Sequence, residues 1–244
     1  VFKLALGADD SVYVLGASCR DGGCTAYLPK TAADGGNQEL VYNQGSSDIF
    51  LVHYGQDGGY ISHSVWGSTG TDVAAGLSVL DGKVLVGGTV NANPEAFLDG
   101  ATLIDETGKD DLFVLDASDV WNESNSILFG SSNDDDLEDL WVGSDDIVVG
   151  GNFCMEAGCY FDFAGETRAS SVGKQDGFML WLDEEQVFQS LFQIGSVGND
   201  SIVALAPQSD GFMYGLAEFC GNEEENCTAS FGAAPTFLES TLNA

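Results

Sequence analysis

The stretch Asp48-Ile-Phe-Leu-Val52 returns twice in related form, so that copies of it begin at Asp48, Asp111 and Asp176. A Gly-Ser turn with an aspartate five residues after the glycine also occurs three times, beginning at Gly67, Gly130 and Gly195. An apolar strand comes after each turn and ends in Gly87, Gly150 and Gly215. All three landmarks recur after 63 and then after 65 residues. Independent markers that keep one spacing indicate a repeat architecture.

Each repeat is predicted to contain four short antiparallel strands. In the first complete repeat these are about 49–54, 60–66, 73–80 and 83–90. The dipeptide Asp81-Gly82 between two apolar runs is typical of a two-residue hairpin turn. No segment keeps a 3.6-residue apolar period, so we expect few helices. The predicted class is all-β, and four strands per repeat is the composition of a β-propeller blade.

The repeat spacing predicts one propeller domain with about three and a half four-stranded blades. Its parts are a partial blade and linker at 1–47, blades at 48–110 and 111–175, and a blade with a truncated linker at 176–244. An open propeller leaves exposed strand edges, which favour unwanted pairing. We therefore expect the chain to be part of a larger closed propeller, with further blades outside this sequence favoured over completion by another chain.

These landmarks resemble a bacterial-type β-propeller repeat family, whose blades read roughly Asp-x-Phe-Val-x-x-Leu, then Gly-Gly-x-Gly-x-Asp, then Gly-x-Val-Tyr-Val-x-Gly-x-Phe. The segment from Gly150 to Phe178 is similar to the family's linker between blades. The resemblance covers nearly the whole chain and implies a propeller that serves as a structural or binding module in an extracellular protein. Residues 19–47 are longer than such a linker, and the family's lysine after the first strand is missing.

Six cysteines occur as three local pairs at the same place in their repeats: Cys19 with Cys24, Cys154 with Cys159, and Cys220 with Cys227. An even count at matching loop positions predicts three disulfides. The alternative, a zinc site, would need pairs that lie close in space and often includes histidine. Three glycosylation sequons begin at Asn122, Asn199 and Asn226. Together these features predict an extracellular or cell-surface glycoprotein.

The net charge of −32 comes from 39 acidic and only 7 basic residues. A surface of this charge repels nucleic acid and anionic lipid, so neither is expected as a partner. No apolar run reaches the length of about 18 residues that membrane insertion needs. The acidity indicates either solubility in a salty medium or binding of calcium. The best calcium candidate is the turn with Asp134, Asp135, Asp136 and Glu138, although it lacks the spacing of a calcium loop.

The sequence predicts no catalytic residue. Its two histidines, His53 and His63, lie on neighbouring strands of one hairpin and are interpreted as ordinary strand residues. No nucleophile elbow, phosphate loop or dinucleotide fingerprint stands in its required context. The recurring aspartates are predicted to cap turns by accepting backbone N–H groups. Core positions are predicted at Phe50, Phe113, Phe178, Trp66 and Trp141, and a sugar platform at Trp121 is the weaker alternative.

We therefore expect a non-enzymatic structural, adhesive or assembly module of a larger surface protein. Its partners would be other blades of the same chain or other protein subunits, with calcium as the candidate stabilising ion. Two alternatives stay open. One is a lectin-like propeller that binds carbohydrate or another ligand, and the other is a fragment of a propeller enzyme whose active residues lie outside this segment.

Overall fold

The structure is a computed structural model, and it describes residues 3–18, 25–29, 38–42, 46–68, 70–91, 110–118, 126–208, 212–221, 227–232 and 236–240. These residues form antiparallel β-strands joined by turns, and they contain no helix. Within the same ranges there is accordingly no helix that could cross a membrane. The predicted all-β class is confirmed.

The chain divides into two compact units, of which the first comprises Val1–Leu103 and Phe113–Ser126. Its strands are β1 (Lys3–Leu6), β2 (Val12–Ser18), β3 (Thr25–Pro29), β4 (Gln38–Tyr42), β5 (Asp48–Tyr54), β6 (Tyr60–Trp66), β7 (Val73–Leu80) and β8 (Lys83–Asn91). A sheet forms in the order β1-β2-β5-β6, and β3 pairs with β4. The hairpin of β7 and β8 packs through β7 on β1, β2 and β5.

The second unit comprises Ile104–Leu112 and Ile127–Ala244, so the division runs through β9 (Asp110–Asp116). Its remaining strands are β10 (Ser126–Ser131), β11 (Asp136–Val142), β12 (Asp146–Phe153), β13 (Tyr160–Phe163), β14 (Glu166–Ser170), β15 (Asp176–Asp183), β16 (Phe188–Gly195), β17 (Asn199–Pro207), β18 (Met213–Gly221), β19 (Cys227–Phe231) and β20 (Thr236–Ser240). A sheet forms in the order β11-β12-β15-β16-β19-β20, and β10 pairs with β13. The hairpin of β17 and β18 packs through β17 on β11, β12 and β15.

The four strands predicted for the first repeat are confirmed as β5 to β8. Asp81 and Gly82 have φ angles of 49° and 86°, so both central residues of this hairpin turn lie in the left-handed region. That conformation matches the right-handed twist of the flanking strands and explains why the sequence uses Asp-Gly here.

Hydrogen-bonded sheets and sequence repeats are offset by half a repeat. In the sheet β1-β2-β5-β6 and in the strands β11-β12-β15-β16, the last two strands of one repeat pair with the first two of the next. Asp48 and Asp176, predicted as blade boundaries, therefore begin strands in the middle of sheets. Periodicity reveals the length of a repeat, but hydrogen bonding decides where the sheet begins.

The predicted linkers contain strands that the sequence did not indicate. In the second repeat β13 and β14 form a hairpin around Ala164 and Gly165, whose φ angles are 53° and 74°. In the third repeat β19 and β20 form a similar hairpin. The first strand of each hairpin pairs with β10 or β16 and extends that sheet. The residues of β13 alternate between buried and more exposed positions: Phe161 and Phe163 are buried, and Tyr160 is exposed. A strand with one apolar face is stabilised when that face is buried in a sheet, which explains the pairing.

Strand register shows that Gly215, the glycine taken as the strand end of the last repeat, is not the equivalent of Gly150. Leu140 lies opposite Val149, and Leu205, its counterpart 65 residues later, lies opposite Gly215. Gly215 therefore corresponds to Val149, and Leu216 corresponds to Gly150. The cause is the connection between the strands: Pro207 pairs with Met213, whereas its counterpart Val142 pairs with Ile147, so the connection from β17 to β18 is one residue longer.

Core predictions are confirmed for Phe113, Phe178 and Trp66, which are buried, whereas Phe50 and Trp141 are only half-buried. In the second unit the Phe161 ring lies 5.0 Å from Phe178 and 5.2 Å from Phe153, measured between centroids. The described strands form separate sheets, and no closed propeller is detected among them.

Candidate functional site: a repeated aspartate clasp

The Gly-Ser turn of the second repeat folds around a buried carboxylate. Ser131 donates its backbone N–H to Asp135 Oδ2 over 2.5 Å and its hydroxyl to Oδ1 over 2.6 Å. Both residues are completely buried. Both carboxylate oxygens are thus engaged by one serine, which fixes the five-residue turn. We call this serine–aspartate pair the clasp of the repeat.

The same clasp occurs in the other two repeats. Asp72 accepts the N–H of Ser68 over 2.7 Å and its hydroxyl over 2.8 Å. Asp200 accepts the N–H of Ser196 over 2.6 Å and its hydroxyl over 2.8 Å. The prediction that these three aspartates cap turns is therefore confirmed.

Each clasp also holds segments that are distant in sequence. The backbone N–H groups of the clasp aspartates donate to the residue before each Asp-x-Phe strand, which is Ser47, Asp110 or Gln175. Asp135 Oδ1 further accepts the backbone N–H of Cys154 over 3.1 Å, and Asp200 Oδ1 accepts that of Cys220 over 2.8 Å. The clasp joins the turn to the start of the first strand and to the end of the last. The sequence did not predict these distant partners.

Two of the three predicted disulfides are confirmed, and both begin at a clasp. Cys154 is bonded to Cys159 and Cys220 to Cys227, with Cα–Cα distances of 6.2 and 6.0 Å. The pair Cys19 and Cys24 lies outside the described residues. Cys154 and Cys220 have φ angles of 64° and 63°, an uncommon conformation for residues other than glycine. The clasp hydrogen bonds and the disulfides together hold both residues there.

The leading aspartates of the Asp-x-Phe strands, Asp48, Asp111 and Asp176, are also buried. Asp176 Oδ2 accepts the N–H of Val172 over 2.7 Å and a side-chain N–H of Gln193 over 2.5 Å. The glycine before each clasp serine makes room for this carboxylate, because a Cβ at Gly195 would lie 2.8 Å from Asp176 Oδ2. The Gly-Ser pair is thus required by packing as well as by the turn.

Burial raises the pKa of all three clasp aspartates. The pKa of Asp72 rises to about 6 and that of Asp135 to about 7, while the pKa of Asp200 is raised from the same cause. Serine and backbone donors oppose the rise, and the neighbouring charges of Asp48 and Asp111 add to it for Asp72 and Asp135. These carboxylates are therefore costly to ionise and are engaged by the backbone.

The residues predicted to bind calcium do not form one cluster. Asp135 points into its clasp, Asp134 is half-buried, and Asp136 and Glu138 are exposed on β11. In the described part of the chain, no group of three or more His, Cys, Asp or Glu side chains is placed to hold a metal ion. Calcium binding stays a prediction.

The two histidines point to opposite faces of their sheet. His53 lies opposite Ser62 and His63 opposite Val52, and adjacent positions on a strand alternate between faces. His63 Nδ1 is hydrogen-bonded to the Tyr60 hydroxyl over 2.6 Å. His53 stacks on Tyr13 with ring centroids 4.1 Å apart and ring planes within 7°. The two side chains therefore make different contacts, although both residues border the cavity described next.

A cavity of about 110 Å³ adjoins His53 in the first unit. Tyr13 and the hydroxyl residues Ser62, Ser64 and Ser118 contribute to its lining. His53 Nε2 is buried and has no hydrogen-bond partner among the described residues. Burial lowers the pKa of His53, although the charge of Asp9 opposes this, so the ring favours its neutral form. The sequence offered no signal for this cavity, since its residues come from β2, β5, β6 and the segment after β9.

Of the predicted glycosylation sites, Asn199 is half-buried and opens β17 directly before the clasp residue Asp200. Asn122, Asn226 and the predicted sugar platform Trp121 lie outside the described residues.

No family model matches the chain, and no curated protein matches it either.

Proposed function

We propose that this chain is a non-enzymatic structural or assembly module of β-propeller type, built for an extracellular or cell-surface protein. The observation that carries the proposal is the clasp, repeated with the same hydrogen bonds in three repeats. A carboxylate that serves catalysis or ligand binding needs access to its partner. Here the buried carboxylates accept serine and backbone donors, so their chemistry is used to hold strands together.

Packing of hairpins on sheets supports the propeller. In each unit the third strand of a repeat packs on the sheet that contains the preceding half-repeat, as β7 does on β1, β2 and β5 and as β17 does on β11, β12 and β15. Face-to-face packing of successive antiparallel sheets is what neighbouring propeller blades require. The resemblance of the landmarks to bacterial-type propeller repeats supports the same architecture.

Disulfides support the extracellular setting. Disulfides persist in oxidising compartments, and the two that are described close short loops at equivalent places. Secretory expression tests this: we expect a mass increase at Asn199 that a glycosidase removes, together with oxidised cysteines. A protein that folds equally well with all six cysteines reduced would contradict the proposed compartment.

Native-state hydrogen exchange tests the structural role directly. If the clasps hold the repeats together, the amides of Ser131 and Cys154 exchange only through global unfolding, as slowly as those of β12. The exposed turn amide of Ser144 serves as a fast-exchanging control. Exchange of the clasp amides by low-energy local opening, while β12 stays protected, would contradict the structural role, because binding loops belong to the less stable parts of a fold.

Calcium is proposed as a stabilising ion on the basis of charge alone. If it binds the folded chain, EDTA lowers the melting temperature and added calcium restores it. A melting curve that EDTA leaves unchanged contradicts the calcium proposal and leaves the structural role standing.

The second candidate function is binding of a small hydroxyl-rich ligand, and the His53 cavity favours it. A neutral imidazole, a tyrosine stacked on it and three serines match the hydroxyl groups of a sugar. Titration against a glycan panel tests this. The variant His53→Phe should lose any binding that is found, whereas Ile61→Gln, at an exposed position on the same hairpin, should retain it.

A further inference from the structure

The second unit shows how one hairpin packs on the sheet before it. At Gly150 of β12, an added Cβ would lie 3.0 Å from Ile202 Cγ2 and 3.2 Å from Leu205 Cδ2. The backbone N–H of Leu205 also donates to Asp139 Oδ2 on β11 over 2.9 Å. The outer face of the β11–β12 hairpin is therefore covered by the third strand of the following repeat. Val148 and Val149 point to opposite faces of β12, and both are completely buried, so both faces of this strand are covered.

The corresponding face of the β17–β18 hairpin is uncovered. By strand register Tyr214 and Leu216 correspond to Val148 and Gly150. Their side chains are 59% and 64% exposed. Gly215, on the opposite face, lies against the sulfur of Met179. One face of β18 is thus packed, while the other presents large apolar groups at positions that are covered one repeat earlier.

A matching face lies on β1. Across the three strands β1, β2 and β5, Leu4 lies opposite Val14 and Val14 lies opposite Val52. The equivalent strands of the second unit, β11, β12 and β15, have Leu140, Val149 and Leu180 at these positions. Leu4 is therefore the counterpart of Leu140 and of Leu205, the residue that packs over Gly150. Leu4 and Leu6 are 69% and 68% exposed. The chain thus presents both halves of a contact that it already makes internally.

We propose that two copies of this chain associate head to tail, the β1 face (Leu4, Leu6) of one copy packing on the β18 face (Tyr214, Leu216) of the next. The contact continues the stacking seen where β17 packs on β12, with Leu4 at the place of Leu205 and Leu216 at the place of Gly150. Because Leu216 is larger than Gly150, the two copies lie further apart than the two hairpins do within one chain. The inference rests on the proposed structural role. Because the two faces differ, the contact is heterologous, and each association leaves one free face of each kind.

Charge sets the conditions for this association. Each copy carries a net charge of −32, so two copies repel one another strongly at low ionic strength. The screening length falls from about 10 Å at 0.1 M salt to about 3 Å at 1 M. The apolar contact is little weakened by salt, so association should grow as salt is added. An interface held by ion pairs would weaken instead.

Sedimentation velocity on two double variants tests the proposal. Leu4→Gln with Leu6→Gln disables the β1 face, and Tyr214→Gln with Leu216→Gln disables the β18 face. At about 1 M salt the wild-type chain should exceed its monomer mass of 25.6 kDa in a concentration-dependent manner. Each variant alone should remain monomeric. An equal mixture of the two should form a dimer and nothing larger, since only one complementary pair of faces remains.

Three outcomes overturn the proposal: a wild-type chain that stays monomeric at every salt concentration, a single variant that still self-associates, or a mixture that fails to form the dimer. The variant Val187→Gln, at a position that is 57% exposed in the β15–β16 turn, is the matched control and should associate like the wild type. Circular dichroism and melting curves verify that all variants fold. If association is lost while clasp amides stay protected, the structural role survives without this interface.

Discussion

The clasps of the second and first repeats have the same two serine hydrogen bonds, but the last strand of each repeat ends differently. In the second repeat that strand ends at Cys154, which donates its N–H to Asp135 and is tied to Cys159. In the first repeat it ends at Asn91, whose backbone also bonds Asp72 and whose carbonyl, 2.5 Å from the Ser68 hydroxyl, shares that hydroxyl's one proton with Asp72. The pKa rises to about 7 at Asp135 and to about 6 at Asp72, because burial penalises the charged form in both.

The clasp therefore does not depend on the disulfide. The first repeat builds the same turn with asparagine in place of cysteine. The disulfide is an addition at a backbone position that the clasp already holds. Cys154 and Cys220 occupy equivalent positions, since each donates its backbone N–H to the clasp aspartate of its own repeat.

The largest expected difference between the two repeats comes from removing the carboxylates. In Asp135→Ala, three buried donors lose their acceptor, and at about 1–3 kcal/mol each we expect a loss of about 3 kcal/mol or more in unfolding free energy. Asp72→Ala should cost less, because its site is less strongly desolvated. Urea denaturation measures both. Asp145→Ala, at an exposed position in the β11–β12 turn, is the control, and equal small losses in all three variants would contradict the structural role of the clasp.

Substitutions of Gly88 and Gly151 test whether the β7–β8 and β11–β12 hairpins are otherwise alike. A Cβ at Gly151 would meet the carbonyl oxygen of Asp136, and a Cβ at Gly88 would meet that of Val73. Overpacking against backbone costs about 1–3 kcal/mol, so Gly151→Ala and Gly88→Ala should destabilise by similar amounts. By register Ala217 occupies this place in the third repeat, and Ala217→Gly should change stability far less. A clear loss in only one hairpin would show that the two differ beyond the clasp.

Removing the disulfide should make the second repeat resemble the first. The double substitution Cys154→Ser with Cys159→Ser opens a short loop, and the loop-entropy estimate for its loss is about 2 kcal/mol. The clasp hydrogen bond from the backbone of residue 154 remains, so its amide should stay protected in hydrogen exchange. Asn91→Ala keeps the backbone of the first repeat and should cost less than the loss of the disulfide. Loss of amide protection at 154 would mean that the clasp needs the disulfide.

The smallest expected effect is the difference in pH dependence between the clasps. A carboxyl whose pKa is raised on folding contributes stability that is fully present below its unfolded value of 3.8 and is lost as pH rises through the folded value. For Asp135 that loss extends to about pH 7 and for Asp72 to about pH 6. The contribution of Asp135 should therefore be lost over a wider pH range than that of Asp72.

Unfolding free energies between about pH 4 and 8 measure this, with Asp135→Asn and Asp72→Asn each removing the contribution of one site. Asp135→Asn should flatten the pH profile of stability more than Asp72→Asn does. A profile that both substitutions leave unchanged would mean that these carboxylates titrate normally and that repulsion among surface charges causes the whole pH dependence.

Residues whose role depends on local pattern were predictable. Asp81-Gly82 indicated its hairpin turn, and the recurring Gly-Ser and Asp-x-Phe landmarks located the turns and strands of the repeats. The aspartates of the Gly-Ser turns were predicted as caps because an aspartate side chain can accept backbone N–H groups that lie close to it in the chain. Matching positions of the cysteines predicted the two disulfides that are described.

Residues whose role depends on distant partners were not predictable. The hydrogen bond from Cys154 to Asp135 joins positions 19 residues apart, and the one from Leu205 to Asp139 joins positions 66 apart. The landmark at Gly215 was misaligned by one residue, because the connection from β17 to β18 is one residue longer than that from β11 to β12 and only the strand register reveals this. The His53 cavity likewise needs residues from separate strands.

Periodicity and local spacing were sufficient for the all-β class, the repeat length, the turns and the cysteine pairing, because each depends on groups that lie close along the chain. Long-range packing was needed to combine halves of successive repeats into sheets and to add strands from the linkers. It was also needed for each clasp to hold the far end of its repeat. Pairing between strands depends on which apolar faces can be buried together, and that choice is made only when distant segments meet.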